Sequence, residues 1–107
     1  MRDHAAEAVA FASGRAAPDL ATDRMLQLGL SRLVEIVGEA ASRVSEKGQA
    51  AIAQLPWPDI IGMRHRIIHG YDQVNLETLW RTVTEDLPPL IAALDEAIAR
   101  LEAERKP

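Results

Sequence analysis

Cysteine is absent from this 107-residue chain, which excludes a disulfide scaffold and any thiolate metal site. Aromatic residues are scarce: Phe11, Trp57, Tyr71 and Trp80 are the full set. A sheet would draw on more aromatic and β-branched side chains than this composition offers. No apolar run approaches the ~18 residues that a membrane span needs, and Met1-Arg2-Asp3-His4 leads into no signal-peptide core. The chain is therefore expected in the cytoplasm, without a membrane partner. Positive charge is also in deficit. Lys and Arg number 12 against 16 Asp and Glu, for a formal charge of −4. That balance argues against a broad basic surface for non-specific nucleic-acid binding and leaves room only for a local basic site.

What the chain has in quantity is alanine (18 residues) and leucine (12), both strong helix formers. Its length suits one domain over residues 1–107, burying roughly 65% of the surface that the unfolded chain exposes. A first helix is expected from about Asp3 to Ser13, with Ala5, Ala8, Val9 and Ala12 on one side and Gly14 as its stop. Arg15 to Ala21 reads as a connection. Thr22 or Asp23 can cap a long second helix whose apolar positions Leu26, Leu30, Leu33, Val37, Ala40 and Val44 alternate four and three apart. That is the seam of helices packed nearly parallel or antiparallel. Leu28, Val34, Ile36 and Ala41 widen it, as contact with two neighbours requires.

Glu46 to Gln54 reads as a short helix or turn region, after which Pro56-Trp57-Pro58 resets the chain. A third major helix is expected from Pro58 to His69, stopped by Gly70. Asn75 caps a last helix in which Leu76, Trp80, Val83, Leu87, Leu90, Leu94, Ala97 and Leu101 repeat the four-three alternation. Pro88-Pro89 should kink this helix or split it in two. The fold class is all-α: a four-helix bundle with room for a short extra helix.

Chemistry concentrates in Gly62-Met63-Arg64-His65-Arg66-Ile67-Ile68-His69-Gly70-Tyr71, which carries two arginines and two of the three histidines without one carboxylate. On a continuous helix Arg64 lies four residues from both Ile60 and Ile68, on the apolar stripe. There it is either a snorkelling side chain or a planar fork offered to a phosphate. His69, at the helix C-terminus, is either a polar cap or a proton-transfer group. At about 100° per residue the two side chains point roughly 140° apart. One regular helix aims them poorly at a single atom, whereas a symmetric dimer brings two copies together across an axis.

His65 and His69, one turn apart, share a face that could chelate a metal, yet two ligands do not make a site and no metal or other cofactor is expected. The hydroxyl of Tyr71 is open to packing, phosphate binding or modification. Glu35 and Glu39, one turn apart on the second helix, form either a solvated face or a group that orients a basic residue in a cleft.

Arg64-x4-His69-x-Tyr71 resembles the R-x4-H-x-Y signature of HepT-like toxins, within the HEPN superfamily of small helical ribonucleases. The resemblance extends through Arg32 to Ala40, Leu55-Pro56-Trp57, Ile60 to Arg64, Ile67 to Tyr71 and Val83 to Pro88, and so covers about Asp3 to Leu94. His65 stands where the family commonly has asparagine, and the N-terminal helix is shorter than in many members. The resemblance implies the toxin of a type VII toxin–antitoxin pair, a metal-independent endoribonuclease that dimerises with its motif helices meeting in a cleft. It also implies neutralisation by a nucleotidyltransferase antitoxin that transfers AMP to Tyr71. Arg64 and His69 are then the catalytic residues, with His65, Arg66 and Tyr71 positioning RNA. The alternative from a different class is a catalytically silent helical module that binds a protein partner or a nucleotide.

Overall fold

The computed structural model describes residues 1–67 and 75–105. Among these residues the chain is helical, with no strand. Helix α1 (Arg2–Ala12) buries Ala5, Ala8 and Ala12, whose small side chains let it pack closely between α3 and α8. Gly14, at φ +77°, takes the left-handed conformation that turns the chain away, as expected of a glycine stop. The next stretch differs from its expected role as a connection, because Ala17–Thr22 forms a short helix, α2. Pro18 occupies its first turn, the Asp19 carboxylate accepts from the Ala16 amide at 2.8 Å, and Leu20 is buried. These are helix-start signals that outweigh the turn tendency of proline.

Asp23 caps α3 (Arg24–Ser42), accepting from the Leu26 amide at 3.0 Å, and Arg15 bonds its other oxygen at 2.9 Å. Leu26, Leu30, Leu33, Val34, Val37 and Ala41 form the buried face of this helix. Leu28 is a correction: it is 51% exposed rather than part of the stripe, since α3 keeps one face uncovered. Helix α4 (Glu46–Ala51) is short and buries nothing; Arg100 donates to the carbonyl of Ala51 at its end at 2.9 Å.

The third major rod is two pieces rather than one helix: α5 (Trp57–Ile61) and α6 (Met63–Ile67), broken at Gly62. Glycine holds the helical conformation weakly, and the segment must also press against α3, where a side chain at Gly38 would come within 3.3 Å of the carbonyls of Ile60 and Ile61. The expected continuation to His69 and Gly70 lies outside the described residues.

Asn75 caps α7 (Leu76–Arg81), its side chain accepting from the Thr78 amide at 3.0 Å. A π-helical stretch (Thr82–Asp86) then joins it to α8 (Leu87–Arg105). The kink or split expected near Pro88-Pro89 takes the form of this π-helical stretch, which ends two residues before the prolines. Prolines have no N–H for the carbonyls four residues back, and their rings crowd those carbonyls. Widening the turn, so that the Leu87 amide bonds the Thr82 carbonyl five residues away, accommodates both effects. The four rods are α1, α3, α5–α6 and α7–π–α8, with α2 and α4 as additions. Arg2 fastens the first rod to the last, its guanidinium donating to both oxygens of Asp95 at 2.7 and 3.2 Å.

Candidate functional site

Helix α6 presents Arg64, His65 and Arg66 as consecutive exposed residues between buried Met63 and Ile67. The buried line through this rod runs Ile60, Met63, Ile67, so Arg64 sits beside the apolar stripe rather than on it. Ile60, Met63 and Ile67 are themselves three and four apart, so the buried line passes one residue to the side of Arg64.

The Arg64 side chain is 51% exposed, and its Nε lies 3.7 Å from Oε1 of Glu35 on α3. That is beyond hydrogen-bond length, an electrostatic contact rather than a locked fork. Arg32 approaches the same Glu35 oxygen at 3.2 Å, so one carboxylate stands between two guanidiniums. Of the two glutamates on this face, Glu35 is the one that meets a basic group; Glu39 is exposed and makes no ion pair among the described residues. Arg32 carried no assigned role in the sequence. Its signal was there to find, because residues three apart on a helix share a face, and Arg32, Glu35 and Glu39 repeat that interval and the next.

Arg66 points elsewhere. Its guanidinium donates to the carbonyl of Asp59 at 2.9 Å, and it lines a polar hollow of about 220 Å³ with Thr78, Arg81, Thr82, Glu85 and Asp86. Two positions along a helix rotate by roughly 200°, which carries Arg66 away from α3 toward the last rod. The structure therefore brings Arg64 together with Glu35 and Arg32, and does not bring Arg66 to that cluster. In the polar hollow Thr82 is buried and its hydroxyl donates to the Thr78 carbonyl at 2.8 Å, while Arg81 pairs with Glu85 at 3.5 Å.

His69 and Tyr71 lie outside the described residues, as does half of the His65–His69 pair. On either side of that segment the backbone is closed by a hydrogen bond, the Asn75 amide donating to the Ile67 carbonyl at 2.6 Å. The ends of α6 and α7 are thus fixed next to each other, beside Arg66 and within one turn of Arg64. Among the described residues no three of His, Asp and Glu gather as a metal-binding group, and no helix is long and apolar enough to cross a membrane.

A 72-residue stretch is 35% identical to a protein of Thermococcus cleftensis named "Probable ribonuclease HepT", covering 67% of this chain and 66% of that one. An 82-residue stretch is 30% identical to "Putative RNase TTE0752" of Caldanaerobacter subterraneus subsp. tengcongensis, covering 77% of this chain and 73% of the relative. A third match, 29% identical over 64% of this chain and 62% of the relative, is "Putative RNase MJ1380" of Methanocaldococcus jannaschii. No solved structure gave a significant match. The family model described as "Ribonuclease HepT-like" matches residues 1–97, a span that takes in the first three rods, the arginine-bearing α6 among them, and the last rod as far as Ala97. With its helical architecture and that match over most of its length, the chain belongs to the HepT-like ribonuclease family.

Proposed function

We propose that the chain is a metal-independent endoribonuclease, the toxin of a toxin–antitoxin pair, whose cleavage centre is built from two copies of α6 and the residues that follow it. The observation that carries this reading is Arg64, the motif arginine, presented half exposed from α6 with the Glu35 carboxylate 3.7 Å from its Nε. Family membership supports the ribonuclease class. The cytoplasm holds the RNA that such an enzyme would act upon.

Cleavage without a metal requires removal of the proton from a ribose 2′-hydroxyl, attack of that oxygen on phosphorus, and protonation of the departing 5′-oxygen. The O2′–P bond forms as the P–O5′ bond breaks, leaving a 2′,3′-cyclic phosphate and a 5′-hydroxyl. In this reading His69 transfers the proton at one oxygen and the partner's His69 serves the other. Arg64 holds the phosphoryl oxygens as charge builds on them. Glu35 acts through Arg64 as a positioning residue, and His65 and Arg66 guide the strand.

Dimerisation is favoured by the uncovered face of α3. Met25 is 73% exposed and Leu28 51%, and they lie on the same side as Arg32 and Glu35. Large apolar side chains beside the candidate site are what a second copy would cover. Inhibition by a nucleotidyltransferase antitoxin would work through Tyr71. An AMP group on its hydroxyl adds bulk and a negative phosphate against the basic segment, and both exclude RNA.

The test is cleavage of RNA by purified protein in EDTA. Activity is expected to persist in the parent and to fall by about 10²–10³-fold in Arg64→Ala, the scale of losing one transition-state donor, with a comparable loss in His69→Ala. If both variants cut as well as the parent, the cleavage has another source. If the folded parent binds RNA without cutting it, the silent binding module takes the place of this reading. Mass spectrometry after co-expression with an adjacent nucleotidyltransferase gene tests the modification: an adduct of AMP on Tyr71 is expected, and an adduct on another residue type would overturn it.

A further inference from the structure

Trp80 is the less buried of the two tryptophans, and the contrast between them is informative. Trp57 is 7% exposed and spends its indole N–H on the Ile52 carbonyl at 3.0 Å, so it is part of the core. Trp80 is only half-buried and forms one wall of a hollow of about 420 Å³ between α2 and α7, lined also by Pro18, Ala21, Leu76, Glu77 and Arg81. Its lining is chiefly hydrocarbon plus one aromatic wall, with charge only at Glu77 and Arg81. Arg81 also lines the polar hollow that holds Arg66, Thr78, Thr82, Glu85 and Asp86. An apolar slot with an aromatic wall thus adjoins a polar one, and a single arginine borders both.

A nucleotide has this division built in: a flat base with a π-face on one side, and a hydroxylated, singly charged sugar-phosphate on the other. We infer that the hollow over Trp80 is a nucleobase-stacking subsite for single-stranded RNA, and that the adjoining hollow receives the ribose and phosphate of the same nucleotide. Stacking on an aromatic side chain tolerates any base, because every base has a π-face. In the polar hollow two guanidiniums face two carboxylates. That near-neutral balance suits one phosphodiester and ribose hydroxyls, which carboxylates accept from, better than a triphosphate. Arg66 points to α7 and Arg64 to α3, so the subsite holds a nucleotide flanking the scissile bond rather than the bond itself. The inference rests on the ribonuclease reading for its substrate class, and the experiment separates the two.

The full chain carrying Arg64→Ala, in which cleavage is expected to be slowed about 10²–10³-fold, is titrated with a single-stranded oligoadenylate of roughly ten nucleotides. The two indole N–H resonances are followed by NMR. The Trp80 resonance is expected to shift saturably while that of Trp57 stays in place, and an abasic strand of equal length should leave both unmoved. Trp80→Leu in the same background is expected to weaken oligonucleotide binding about tenfold, the scale of one lost stacked base. A Trp80 resonance that ignores the oligonucleotide overturns the inference, as does an equal response to the abasic strand. Because the resonance experiment keeps Trp80 in place, it decides the matter even if the leucine variant folds poorly. A shift of Trp80 in a protein whose parent never cuts RNA upholds the subsite and removes the ribonuclease reading. Cutting by the parent, with Trp80 indifferent to RNA, does the reverse.

Discussion

At the scale of single residues, the arrangement around Glu35 decides what Arg64 can do. A carboxylate 3.7 Å from Nε orients the guanidinium, and at partly exposed positions such contacts contribute little to stability. In the proposed reading its value lies in placement. Glu35→Gln is expected to lower cleavage by about 10- to 100-fold through misplacement of the arginine, with the loss in kcat rather than KM and with the melting temperature nearly unchanged. Steady-state kinetics beside a thermal melt checks this, and an equal fall in melting temperature would mark Glu35 as structural. Two other carboxylates contribute to the acid limb of stability. The Leu26 amide and Arg15 hold Asp23 below the usual carboxylate range, and Arg2 does the same for Asp95. A carboxylate lowered in the folded state adds stability above its unfolded value of about 3.9, and that contribution fades as pH falls through the folded value. Melting temperature is therefore expected to decline below about pH 4, and Asp95→Asn should flatten part of that decline in a series of melts across pH.

At the scale of elements, the last rod shows how a local conflict becomes a structural feature. The hydrophobic repeat from Leu76 to Leu101 asks for one helix, while Pro88-Pro89 denies two donors to it. The compromise is the π-helical stretch over Thr82–Asp86, with the Thr82 and Thr84 hydroxyls adding bonds of 2.8 Å to the carbonyls of Thr78 and Trp80. Replacing both prolines with alanine is expected to restore the ordinary ladder, raise stability, and shift Arg81 and Thr82 out of register with Arg66. A crystal structure of the variant that kept the wide turn would show that the prolines are not its cause. Asn75→Ala, by contrast, should cost about 1 kcal/mol through loss of the α7 cap, measurable by urea denaturation. Much of this was legible from the residues alone: Asp23 and Asn75 cap where their side-chain chemistry says, and Gly14 ends α1. The helix of Ala17–Thr22 was hidden because proline and small residues mark a turn as readily as a helix start. The break at Gly62 was hidden because Ile60, Arg64 and Ile68 keep a helical interval across it.

At the scale of the whole molecule, what matters is that α3 is buried on one side only. Met25 and Leu28 continue the exposed face that carries Arg32 and Glu35. Leu28→Glu is expected to shift a dimer to monomers and to remove cleavage without unfolding the chain. Light scattering after size-exclusion chromatography, with circular dichroism as the folding control, tests this. A variant that stays dimeric and active would place the interface elsewhere. Leu30→Ala, two residues on and facing the buried side, should instead destabilise by about 3 kcal/mol, the usual cost of a large core deletion. Two leucines in the same helix thus separate assembly from folding.

Intervals of three and four residues, caps and terminators determined that the chain is helical, where most helices begin, and which short segment holds the basic chemistry. Those features depend on neighbours a few positions away, and so they are written in the order of residues. Only the packing of rods decided that Leu28 faces outward, that Glu35 rather than Glu39 meets Arg64, and that Arg66 turns to α7. Each of these depends on how one helix is rotated against another, a quantity set by the fit of side chains distant in the chain.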